Sequence, residues 1–220
     1  MVLNNNIKLV IFDLDGTLID SQYDLTDAVN FTRQQYGFGP LPVKEVASYL
    51  GSGIATLVKS VLPELDGDEL NKAVKMFKGN YSEHLTDKTL PYNEVAEMLS
   101  AIPQQKVLLS NKDEKFSKQI LETLGLSKYF TEIYGGDSFK EKKPSPLPIY
   151  EILKKFSLNK ENVIMVGDGA NDIMVAKNAG IKVIGTLYGY SSLEQLQNYG
   201  ADYIATNPKN IASIIANKFI

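Results

Sequence analysis

The chain has no cysteine, so it can form no disulfide, offers no thiol nucleophile and holds no metal through thiolates. Its single arginine, Arg33, leaves a binding site almost no two-pronged guanidinium with which to grip an anion. Its single histidine, His84, falls late in a helical stretch and reads as a surface or packing residue. No apolar run is long enough to span a bilayer, and the N-terminus lacks the charged-then-apolar pattern of a secretion signal. A cytoplasmic protein with no membrane partner is expected. With a net charge of -3 there is no basic excess to attract nucleic acid, and none is expected as a partner.

What is present is an ordinary globular composition, 44% hydrophobic, in 220 residues that can form one large domain or two small ones. Two textures divide it. From Asp20 to about His84 apolar residues recur at spacings of three and four, which predicts helices and no strand. Asp20 or Ser21 can cap a first helix that stops at Gly37. A second helix is expected from Pro42 to Tyr49, a break at Gly51–Gly53, a third helix to Leu62 and a longer one from Asp68.

Short apolar runs outside this block read as strands: Ile7–Asp13, Lys106–Leu109, Thr131–Tyr134, Asn162–Val166, Ile181–Ile184 and Asp202–Ile204. Helical stretches at Asp113–Leu124, Leu147–Phe156, Asp172–Ala179 and Ser192–Tyr199 alternate with the later strands. The alternation predicts an α/β fold, a parallel sheet with helices on both faces. The expected core is residues 1–19 and 85–220, and the helical block 20–84 is an insertion after the first strand.

Open parallel sheets bind ligands at the carboxyl ends of their strands, and four such ends carry polar residues. The first reads "DLDGT", with Asp13 and Asp15 separated by one residue, so a continuing strand would bring the two acids together. Like charges that close push their pKa values apart. The second reads Ser110-Asn111-Lys112, the third is followed by "KEKKPSP" with Lys143, and the fourth is "GDGAND" with Asp168 and Asp172. Each has a plainer alternative: a turn-forming acidic pair, a helix N-cap at Ser110-Asn111, a solvated lysine, a glycine turn. Their joint occurrence at successive strand ends favours one site, equipped for phosphoryl transfer with a divalent cation.

The combination "DLDGT", "LLSN", "KKPSP" and "GDGAND" resembles the haloacid dehalogenase superfamily, specifically its phosphatase branch. "YLGSGIATLVKSVL" and "VIGTLYGY" look like the phosphoglycolate phosphatase group within it. The resemblance implies a Rossmann-like core with an inserted helical cap of four-helix-bundle type. It implies that Asp13 attacks phosphorus to form an aspartyl-phosphate and that Asp15 serves as acid and then base. Magnesium (Mg2+) would be held by Asp13, the Asp15 backbone carbonyl, Asp168 and, directly or through water, Asp172. Ser110 would hydrogen-bond the phosphoryl group and Lys143 would hold its charge. Thr17 and Asn111 would contact the substrate, with Thr17 also bracing the backbone of the acids. The partner would be a small phosphorylated metabolite, and the enzyme a monomer or homodimer.

For phosphoglycolate the distal carboxylate also needs a receiver. Gly51, Ser52 and Gly53 are expected to supply it from free amides at the start of the following helix. Tyr188 and Tyr190 are expected to pack. Among alternatives, a receiver-type signalling module shares the acceptor aspartate but is shorter and has no helical insertion. A dehalogenase lacks the second acid. A sugar-phosphate mutase or phosphatase, or a pyrophosphatase, shares the fold, though hexose-phosphate mutases usually carry a cap arginine near "YLGSG", where none stands.

Overall fold

The run Leu9–Phe12 forms strand β1, and all four residues are fully buried. The computed structural model describes residues 7–218, so the outermost parts of the expected core segments, 1–6 and 219–220, lie outside the described residues. After β1 come a two-residue strand β2 (Ile19–Asp20) and four helices: α1 (Gln22–Gln35), α2 (Val43–Ala47), α3 (Ile54–Val61) and α4 (Gly67–Glu83). The chain returns through β3 (Leu90–Pro91) and α5 (Val95–Ala101). It then alternates: β4 (Gln105–Leu109), α6 (Glu114–Thr123), β5 (Glu132–Tyr134), α7 (Leu147–Phe156), β6 (Val163–Gly167) and α8 (Ala170–Ala179). It ends with β7 (Lys182–Thr186), α9 (Leu193–Tyr199), β8 (Tyr203–Ala205) and α10 (Pro208–Lys218).

Six strands form one parallel sheet in the order β5-β4-β1-β6-β7-β8. A strand can be buried on both faces only where helices cover each side, and β1 holds that central place, with Leu9 level with both Gln105 and Val163. The strand order reverses beside β1, which is where ligand crevices form in open α/β sheets.

The helical block is anchored by β2 and β3, an antiparallel ribbon at the point where the chain leaves and re-enters the sheet. In α3 the apolar residues Ile54, Leu57, Val58 and Val61 follow the 3.6-residue period and are buried. In α4 Ala73, Phe77 and Tyr81 do the same at every fourth position. These residues join Phe12 and Leu108 of the sheet, and Leu14 just beyond β1, in one continuous apolar cluster. No helix among the described residues is long and apolar enough to cross a membrane.

Some expectations need correction. β2 places a strand at the edge of the block where none was expected, and its two residues carry too little pattern to be seen. α2 is shorter than Pro42–Tyr49, because Pro42 is extended at the N-cap and the chain turns after Ala47. α5 and α10 were not anticipated, and they pack against each other. Ser21 does not cap α1: its hydroxyl is turned away, while Asp20 Oδ1 accepts from the Gln22 amide at 3.3 Å.

Candidate active site

The four strand ends converge. Asp13 follows β1, Ser110 and Asn111 follow β4, and Asp168 and Asp172 follow β6, with Asp172 in the first turn of α8. Lys143 arrives on the loop between β5 and α7 and is only 2% exposed, so the solvated alternative fails. Its Nζ donates to Asp172 Oδ1 at 2.6 Å and lies 2.8 Å from Asp13 Oδ1. The carboxylates of Asp13, Asp168 and Asp172 place one oxygen each within 4.8 Å of one another. Asp172 also accepts from the Gly169 amide at 3.0 Å, so the glycine turn of "GDGAND" caps a helix and presents an acid at once.

Asp168 is held from two sides, by the Thr17 hydroxyl at 3.5 Å and the Tyr190 amide at 2.8 Å. Gly16 lets this happen. Its φ is +77°, and any side chain there would run into the Asp168 carboxylate. Tyr188 donates to the Thr17 carbonyl at 3.0 Å, so the "LYGY" loop orients the site as well as packing on it.

Three buried carboxylates share one buried ammonium, which is too little positive charge. Burial and then the Asp172 charge push the Asp13 carboxyl up to about 7, against the pull of Lys143. Burial, Asp172 and Asp13 likewise hold Asp168 well above the usual carboxylate range. The sequence suggested Asp15 as the neighbour that perturbs Asp13, but Asp172 contributes more and Asp15 least of the named groups. Lys143 loses by burial, yet Asp13 and Asp172 more than compensate and keep it protonated. Asp13 Oδ1 is buried and receives no aligned hydrogen bond, despite the nearby ammonium. Three buried carboxylates with so little positive charge among them are a fitting set of hard donors for a small divalent cation.

Asp15 stands beside this cluster. Its Oδ1 accepts from Ser21 Oγ at 2.5 Å and lies 2.9 Å from Lys112 Nζ. Lys112 received no role from the sequence, although it stands directly after Ser110-Asn111. Those two do not cap α6. Ser110 Oγ accepts from the Lys112 amide at 3.2 Å, and Asn111 Nδ2 donates to the carbonyls of Lys143 at 3.0 Å and Gly51 at 2.9 Å.

The Gly51–Gly53 loop therefore docks on the strand ends. Gly51 O also accepts from Asn171 Nδ2 at 3.0 Å, Ser52 Oγ receives the same amide at 3.1 Å, and Lys142 Nζ donates to Ser52 O at 2.7 Å. Gly53 has φ +85°, and a Cβ there would meet Asn111 O at 2.9 Å. A cavity lies between this loop and the acids, walled on the far side by Leu25, Tyr49, Leu50, Ile54 and Leu57. Arg33 is elsewhere, donating to the carbonyls of Gly39 and Val61. His84 pairs with Asp87 on the surface.

Residues 10–186 match the family model described as haloacid dehalogenase-like hydrolase. The chain belongs to the haloacid dehalogenase-like hydrolases. Within that family it is 40% identical over 199 residues to the phosphoglycolate phosphatase of Neisseria gonorrhoeae, covering 87% of this chain and 84% of that one. It is 35% identical over 217 residues to the phosphoglycolate phosphatase of Aquifex aeolicus, covering 97% and 99%. Among solved structures it resembles a "predicted phosphoglycolate phosphatase" from Haemophilus somnus, with a TM-score of 0.90, 30% identity and 97% and 99% coverage. As a member of this family the chain is a hydrolase, and these relatives place it with the family's phosphatases.

Proposed function

We propose that this hydrolase is a magnesium-dependent cytoplasmic phosphatase that cleaves a small phosphate monoester, phosphoglycolate, through an aspartyl-phosphate on Asp13. The observation that carries the proposal is the cluster of Asp13, Lys143, Asp168 and Asp172 at the carboxyl edge of the sheet, with Asp13 and Ser110 also lining the cavity beside it. Segment 20–84 acts as a cap over that edge.

Asp13, Asp168, Asp172 and the Asp15 backbone carbonyl would hold the cation, which supplies positive charge against the carboxylates and phosphate. Asp13 attacks phosphorus, an Asp13–O–P bond forms and the bond to the alcohol oxygen breaks. Asp15 gives its proton to the departing oxygen. It then takes a proton from water as that water attacks the phosphorus, returning Asp13 as a carboxylate and releasing phosphate. Ser110 and Asn111 orient the phosphoryl oxygens, and Lys143 balances their charge. Thr17 steadies Asp168. The distal end of the substrate reaches the cavity beyond Asp15, where the Gly51–Gly53 loop and the first amides of α3 receive it.

Purified protein assayed against a panel of phosphate monoesters with and without magnesium tests the proposal. Magnesium-dependent turnover with the highest kcat/KM on phosphoglycolate is expected. Preference for a hexose phosphate would overturn the substrate, and full turnover by Asp13→Asn, verified by mass to be free of deamidation, would overturn the mechanism.

A further inference from the structure

Asp15 is held by one oxygen. Oδ1 takes both Ser21 Oγ and the Lys112 ammonium, while among the described residues none donates to Oδ2. Asp15 lines the cavity, so the free oxygen is the one available to a departing alcohol. What fixes the acid is therefore Ser21 and Lys112, and both are tied to the helical cap.

Lys112 comes from the core, after β4, but its Nζ also donates to Tyr81 Oη at 2.7 Å and sits 4.8 Å from the Tyr81 ring centroid. Tyr81 belongs to the last turn of α4, in the cap. Both side chains are buried, Lys112 at 5% exposure and Tyr81 at 0%. A buried ammonium keeps its place only while its partners do, and here one partner is in each domain. The Tyr81 ring is itself clamped across the boundary, 5.7 Å from Phe77 of the cap and 5.8 Å from Phe116 of the core. Ser21 immediately precedes α1, next to the ribbon through which the cap joins the core.

We infer that Tyr81 and Lys112 are positioning residues that set Asp15 for proton transfer only when α4 is seated on the core. This rests on Asp15 being the acid and base proposed above. With α4 lifted, Lys112 loses its hydroxyl and ring contacts, and Asp15 Oδ1 loses a fixed partner. Proton transfer to the alcohol is then confined to the closed enzyme, where the cap also excludes water.

The test is a series of phosphate monoesters whose leaving groups run from p-nitrophenol to alkyl alcohols, assayed with magnesium. The constant kcat/KM reports the steps through departure of the alcohol, and the need for a proton grows as that alcohol becomes more basic. For Tyr81→Phe we expect kcat/KM to fall about tenfold on an alkyl ester and less than about twofold on p-nitrophenyl phosphate. Lys112→Met should steepen the same trend, and Tyr81→Phe, which removes one oxygen, carries the test alone if Lys112→Met does not fold. A parallel loss across the series, or none, would overturn the positioning role. Asp15→Asn separates this from the underlying mechanism. A steep trend in Asp15→Asn with a flat one in Tyr81→Phe overturns the positioning pair only. A flat trend in Asp15→Asn overturns both.

Discussion

The two walls of the cavity are built from opposite materials. On the core side Asp13 lines it, backed by Lys143, Asp168 and Asp172, charged groups buried together at the carboxyl edge of the sheet. On the cap side stand Leu50, Ile54, Leu57 and a glycine loop, which meets the core through backbone carbonyls. Buried like charges are costly, and nothing in packing alone explains keeping three of them together. Apolar side chains on helices can be exchanged for others of similar volume at small cost. In the proposed reaction the core wall is committed to one chemistry, whereas the cap wall would set the shape of what enters and, through Tyr81, when it reacts.

The sharpest break in that comparison is Asp13→Asn, which should abolish turnover because an amide is no nucleophile, while phosphate-ester binding persists. Equal residual activity in Asp13→Asn and in a cap-wall variant such as Leu57→Ala would erase the distinction between the walls. Next, Asp168→Ala should weaken magnesium affinity by about 10- to 100-fold, by analogy with the loss of groups that support a metal site. Lys143→Ala should leave magnesium affinity in place but lower kcat by about 100-fold, the usual cost of removing one charge-stabilising donor. Calorimetric magnesium titration of both variants checks this, and identical curves would show their roles misassigned.

On the cap side the expected effects are smaller. Asn171→Ala removes the donor to Gly51 O and Ser52 Oγ. A net hydrogen bond is worth about 1 kcal/mol, so KM for phosphoglycolate should rise about fivefold with kcat within about twofold. Gly53→Val is a poor probe of substrate contact. Its Cβ would press on Asn111 O from a left-handed backbone, so it should impair cap docking for every ester alike.

The smallest expected effect is on stability without metal. The Asp13 carboxyl is raised from 3.8 to about 7, so the folded chain binds the extra proton and the unfolded chain does not. Stability of the metal-free protein should therefore fall as pH rises from about 4 to about 7. At pH 8 in the presence of EDTA, Asp13→Asn should melt a few degrees above the unsubstituted protein, and magnesium should narrow the gap. A lower melting temperature for Asp13→Asn under those conditions would contradict the charge imbalance.

The same contrast explains what could be read from the chain. Asp13, Ser110 and Asp168 each follow directly on an apolar run, and the parallel sheet brings such ends together, so local pattern and topology sufficed. Lys143 was legible only jointly with the other strand ends, since a lysine in "KEKK" alone looks solvated. Nothing local marks Lys112, because its burial depends on Tyr81, 31 residues away. Ser21 looked like a helix cap, and only the fold shows its hydroxyl committed to Asp15. Tyr190 reaches Asp168 from 22 residues away and Ser21 from 169. The ribbon of β2 and β3 is too short to leave any periodicity.

The central claim is that the core wall performs a double displacement through Asp13. The most direct test is the stereochemical course at phosphorus, followed with a monoester made chiral by oxygen isotopes and transferred to an acceptor alcohol. Two successive in-line displacements predict retention of configuration. Inversion would mean that the acceptor attacks the ester directly, and Asp13 would not be the nucleophile.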